Sequence, residues 1–186
     1  MGRWWILYLA VLAVLTGVYH YFRQYRSTIT FCATFLAAIA AILQLQATAA
    51  QNREDIRIKK IAVAFTYFDS WNKDIRPVAK PIMAVMHEID GKSGEEANKI
   101  FEADPEKLRK VLTGYDFFEN MALSIRLRSA DEAALCQYFS QTSTQFFAMG
   151  RNWLSYRRQS TQQPGAYEQY ESLYNAWHGG CPSSSV

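Results

Sequence analysis

Hydrophobic residues crowd the first quarter of the chain and then thin into stripes. Trp4 to Phe22 is 19 residues without a charge, close to the ~20 a helix needs to cross a bilayer at ~1.5 Å per residue. Trp4 and Trp5 stand at one end, and Tyr19, Tyr21 and Tyr25 with Arg23 and Arg26 at the other, the residue types that settle at membrane–water boundaries. A second apolar run, Ile29 to Leu43, is interrupted by Gln44 and Gln46 before a full span is complete. Two arrangements are compatible with this pattern. In one, "RQYR" turns a tight hairpin, residues 28–49 form a second span and both termini share a side. In the other there is one span, and the second segment lies inside a protein assembly. The chain opens on Met1, and the small-residue run "ATAA" at 47–50 lies far beyond a short apolar region, so a retained anchor is expected rather than a cleaved signal peptide.

From Ser27 to Ile75 there is neither Pro nor Gly, which predicts one helix of about 49 residues, ~73 Å long. Its later part keeps an apolar stripe through Ile58, Ile61, Ala62, Phe65, Phe68 and Trp71. Pro77 and Pro81 stop or bend it, and a short helix continues to Ile89. "DGKSGEE" reads as a loop, and Glu95–Glu102 as a short helix at most. Asp104-Pro105-Glu106 has the order of N-cap, first-turn proline and first-turn acid, opening a helix to about Arg128. Another starts near Ser129-Ala130-Asp131-Glu132 and runs to about Gln159, where "QQPG" breaks it. A last helix covers Ala166–Trp177. No period-2 alternation marks a strand. The expected fold is all-α: an N-terminal transmembrane helix or helical hairpin, then a long helix and a cytoplasmic helical bundle. The domains are an anchor over 1–50, an α-helical domain over 51–178 and a flexible tail over 179–186.

The second apolar run has two unlike sides. Thr30, Thr34, Ala37, Ala41, Gln44 and Thr48 succeed one another at spacings of 4, 3, 4, 3 and 4, one face of a helix. The opposite side carries Phe31, Phe35, Ile39 and Ile42. Lipid offers no hydrophobic reward for helix contact, so membrane helices associate through small residues and side chains that hydrogen-bond across. The face is therefore expected to meet a second copy of the chain, the chain's own Trp4–Phe22 segment, or a wet lumen.

Charge divides the molecule in the same place. Of 20 Lys and Arg and 17 Asp and Glu, residues 1–50 hold three basic and no acidic ones, leaving a body of zero net charge. Bulk attraction to nucleic acid is thereby disfavoured. The cluster Arg53, Arg57, Lys59 and Lys60 marks a cytoplasmic side, although Arg23 and Arg26 pull the other way. Cys32, Cys136 and Cys181 are scattered and odd in number, so reduced thiols in a cytosol-facing protein are expected, with neither disulfide nor zinc site.

Little points to catalysis. His20, His87 and His178 have no companions at metal spacing, and there is no Walker loop, GxGxxG, GxSxG or HExxH. No Arg stands four to six residues ahead of a histidine, so the arginine-to-histidine pattern of defence-associated ribonucleases is missing. No cofactor is implied. Glu119, set between Phe117, Phe118 and Met121, needs a partner; a structural ion pair with Arg126, Arg157 or Arg158 is expected ahead of a raised-pKa general base. Arg151, Trp153, Tyr156, Arg157 and Arg158 interleave cations with aromatics, a pattern that can stack bases and hold phosphates, although Trp153 and Tyr156 at i, i+3 equally suit helix packing.

At "YDFFENMALSIRLRSADEAALCQYF" and "WLSYRRQ…YEQYESLYNAW" the chain resembles DUF4760, an uncharacterised family of small bacterial helical domains that often follow a membrane anchor. The likeness runs from about Arg57 to Trp177 and implies no chemistry. In layout, though not in motif, the chain is also similar to small membrane accessory proteins of RNA-targeting CRISPR loci, whose subunits form rings. The expectation is an oligomeric inner-membrane protein, with a pore and antiphage defence as its furthest extension. A membrane-tethered adaptor for a cytosolic partner and a nucleotide or RNA sensor are the alternatives.

Overall fold

The computed structural model describes residues 3–182; the side chains of 3–8, 10, 24 and 26–29 fall outside that description. Every regular element among the described residues is helical. In chain order they are α1 (Arg3–Ser70), a π-helical turn (Trp71–Ile75), α2 (Arg76–Ile89), α3 (Gly94–Ala103), α4 (Pro105–Arg126), α5 (Glu132–Ser160) and α6 (Glu168–His178). The chain divides into two compact units, residues 1–54 and 55–186.

The first unit is α1 alone. The hairpin at "RQYR" does not form: α1 continues through residues 23–27 without a turn. "RQYRST" has no Gly, Pro or Asn to leave helical dihedrals, and every residue in it tolerates a helix. The two apolar segments therefore lie in series along one axis, and Thr30–Thr48 does not pack on Trp4–Phe22 of its own chain.

The second unit is a bundle of the end of α1 with α2–α6. Tyr67 on α1 reaches α4, donating to the Asn120 carbonyl at 2.9 Å and lying 2.7 Å from Ser124 Oγ. The Asp131 amide donates to the Lys60 carbonyl at 3.2 Å, fixing the α4–α5 turn against α1. Pro77 and Pro81 do not stop the chain's helical course: a widened turn precedes them, with the Arg76 amide bonding back to the Trp71 carbonyl, and Pro81 sits inside α2. The short helix expected at Glu95–Glu102 forms as α3 behind a capping box, with Ser93 and Glu96 exchanging side-chain and backbone bonds. Asp104 caps α4 through the amides of Glu106 and Lys107 at 3.1 and 3.4 Å.

Aromatic rings fill the centre. Tyr115, Phe118, Phe139, Phe147, Trp153 and Tyr170 are all fully buried, with Phe118 stacked on Tyr170 at 5.1 Å and Phe101 edge-on to Trp153 at 4.9 Å. Two glycines let these rings approach the helix backbones. A Cβ at Gly114 would lie 2.6 Å from Phe146 Cζ, and one at Gly150 would strike the Tyr115 hydroxyl and lie 2.8 Å from Met86 Cε.

Candidate membrane and assembly surface

Every described side chain of α1 from Thr30 to Lys59 is exposed. The threonine–alanine–glutamine face sits there as a helical line: Thr30, Thr34, Ala37, Ala41, Gln44 and Thr48 share an arc of about 80° at 100° per residue. The Thr34 hydroxyl bonds back to the Thr30 carbonyl at 2.8 Å, so its hydrogen is satisfied within the helix while its methyl and oxygen stay at the surface. Around the rest of the helix Phe31, Phe35, Leu36, Ile42, Leu43 and Leu45 are exposed. Phe31 and Phe35 stack along the surface at 6.4 Å.

One helix among the described residues is long and apolar enough to cross a membrane. It is α1 from Thr30 onward, and its most apolar 18-residue stretch, of mean hydropathy 1.7, is nowhere covered by the rest of the chain. In the first apolar segment, Trp4–Phe22, the side chains of 4–8 and 10 fall outside the description; Leu9 and Val11 to Phe22 are exposed as well.

The other candidates lie in the body, and the geometry reassigns them. Glu119 makes no ion pair with Arg126, Arg157 or Arg158. Its carboxylate accepts the amides of Gln169 and Tyr170 at 3.3 and 2.7 Å, capping the start of α6, where free N–H groups and the helix dipole favour negative charge. Arg158 instead pairs with Glu171 at 2.6 Å and donates to the Ala166 carbonyl at 2.8 Å. Arg126 donates to Gln169 Oε1 at 2.6 Å. All three ties hold α6 to α4 and α5. The expected ion pair of Glu119 with an arginine is thus replaced by a carboxylate cap on the α6 amides.

The Arg/Trp patch comes apart in the same way. Trp153 is buried against Phe101 and Tyr115 and offers no face to a base. Arg157 lies over its ring at 5.4 Å, Tyr156 is half-buried against α3 at Gly94, and Arg151 is exposed on its own. Burial pushes the phenols of Tyr115 and Tyr170 well above their ordinary range, and burial with the Asp116 hydrogen bond does the same to Tyr167. These groups stay neutral at physiological pH and serve packing.

The expected reduced thiols are overturned for two of the three cysteines. Cys136 on α5 and Cys181 after α6 form a disulfide across 45 residues, with Cα atoms 5.6 Å apart; Cys32 is free and exposed. Wide sequence spacing hides the pair.

The family is decided by a match of residues 31–177 to the domain of unknown function DUF4760. The chain belongs to the DUF4760 family. The matched region takes in α1 from residue 31 onward, including most of its apolar, two-sided stretch. No curated protein and no solved structure matches the chain.

Proposed function

We propose that this DUF4760 protein is a membrane-anchored homo-oligomer in which α1 associates with its own copies through the Thr30–Thr48 face, while the helical body makes further subunit contacts and receives a signal. The observation carrying this reading is the uncovered α1 surface. An apolar helix over residues 4–49 is ~69 Å long at 1.5 Å per residue, more than twice a ~30 Å hydrocarbon core. Lipid alone cannot cover both segments of a straight helix, so other copies must cover part of it or α1 must bend at Arg23–Arg26. The small and amide-bearing face supplies the kind of surface through which membrane helices associate. Pore formation and membrane perturbation in antiphage defence extend the reading by likeness of layout alone.

Thr34→Leu/Gln44→Leu tests it. The double variant should run as a smaller species than wild type in mild detergent, by light scattering, with the body's helical signal unchanged. An unaltered particle size removes the seam.

A second reading, a tethered adaptor for a protein partner without a pore, draws on a different surface. Phe65, Phe68 and Tyr138 form an aromatic ridge with ring contacts of 5.6 and 4.7 Å, and Phe65 and Tyr138 are 61% and 50% exposed. Dye leakage from vesicles carrying the protein separates the two: silent vesicles favour the adaptor.

A further inference from the structure

The bond between Cys136 and Cys181 bears on where the body lives. Cys136 is fully buried on α5, whereas Cys181 is exposed on the tail after α6. Packing brings them together before any covalent chemistry. One turn ahead of each cysteine, Trp177 Nε1 donates to Glu132 Oε1 at 3.3 Å, so residues at i and i+4 on both sides of the junction already face each other. Gly180, at φ +113°, then returns the tail towards α5, a backbone conformation open to glycine and strained for other residues. Both cysteines of the body are consumed in this bond, and the third, Cys32, lies apart in the apolar part of α1.

We propose that the body folds and resides in an oxidising compartment, across the membrane from the cytosol, where a thiol–disulfide oxidoreductase joins Cys136 to Cys181 and clamps the end of α6 to the start of α5. Closing the bond removes a hydrogen from each thiol, two electrons and two protons in all. The oxidoreductase disulfide takes up both electrons and is released as a dithiol. The exposed side of the bond decides the compartment. A thiol of the cytosolic pool could reach Cys181, and such bonds do not persist there, whereas they are maintained outside. The basic cluster Arg53–Lys60 argues for the cytosolic side, but it expresses a statistical bias of loops, while an accessible disulfide must be kept oxidised chemically. The proposal is independent of self-association, since sidedness reads the same for monomer and oligomer.

Two measurements on the full chain in cells test it. Cells are quenched in acid, and free thiols are tagged with a maleimide polymer under denaturing conditions. One tag per chain is expected, on Cys32, rising to three after reduction. A phosphatase fused after Val186, active only once its own disulfides form, should be active, and a fluorescent protein that matures only in the cytosol should stay dark in the same position. Cys136→Ala/Cys181→Ala should leave both reporters unchanged, because the bond results from the location and does not cause it. Three tags without reduction, or a bright fluorescent fusion with a silent phosphatase, overturns the proposal. Thiols that oxidise only under added peroxide with a bright fusion also overturn it, and mark a cytosolic redox clamp instead.

Discussion

Phe31 and Phe35 on α1 are 71% and 58% exposed; Phe118 and Phe139 in the body are 1% exposed. The same side chain meets opposite fates in two regions of one chain: Phe31 and Phe35 stand in an uncharged apolar run, whereas Phe118 and Phe139 have polar or charged residues close by in the sequence. In the body, stripes from six helices meet, so each ring finds a partner within the chain. On α1, apolar residues surround the helix on nearly every side, and no second element of the chain comes to meet them. A helix whose apolar residues no other part of its chain covers belongs in lipid or among copies of itself. The body closes its aromatic core within one molecule, and α1 finds cover only in its environment.

The sharpest way to break this contrast is to empty the body. Phe139→Ala or Trp153→Ala should cost about 3–5 kcal/mol of stability through lost burial and a residual cavity, read by denaturant unfolding of the detergent-solubilised chain. A loss under about 1 kcal/mol would mean the aromatic centre is not the packed core described. Next comes the tail clamp. Closing a 45-residue loop confers about 4 kcal/mol by chain entropy, with native strain taking some back, so reductant or Cys136→Ala/Cys181→Ala should lower stability by roughly 2–4 kcal/mol. Glu119→Ala, which removes the carboxylate from the start of α6, should cost about 1–2 kcal/mol, and Glu119→Gln should restore part of it by keeping an acceptor. The smallest effect is expected on α1: Phe35→Ala should change unfolding by less than about 0.5 kcal/mol. A large loss there would show that the helix is covered after all and would dissolve the comparison.

Much of this is legible in the residues. The all-α body, the N-cap at Asp104, the proline-bounded α2 and the break at "QQPG" obey local rules of capping and periodicity, and the structure has them within a few residues. The α1 face is legible for the same reason, since a helical line needs only spacing. What escapes the sequence depends on distance along it. Charge matches Glu119 to arginines, but α6 arrives with its amides foremost and satisfies the carboxylate without a cation. Composition offers Trp153 as a stacking face, although its helix turns it inward against Phe101 and Tyr115. The Cys136–Cys181 pair has one sequence signal, the matching i, i+4 offsets Glu132/Cys136 and Trp177/Cys181, which means something only once α5 and α6 are known to lie side by side. "RQYR" misleads as a turn: its charge suggests a boundary, while nothing in its backbone chemistry favours leaving a helix.

The widened turn at Trp71–Ile75 sets a phase as well as easing two prolines into place. A π-turn takes in about one residue more than an α-turn, and each residue of helix rotates the next by about 100°. Ile82, Val85, Met86 and Ile89 face the core only because that surplus has been counted. Closing Trp71–Ile75 to ordinary α geometry with all its residues kept would swing the apolar side of α2 by about 100° towards water, so this stretch keeps time for the helix after it.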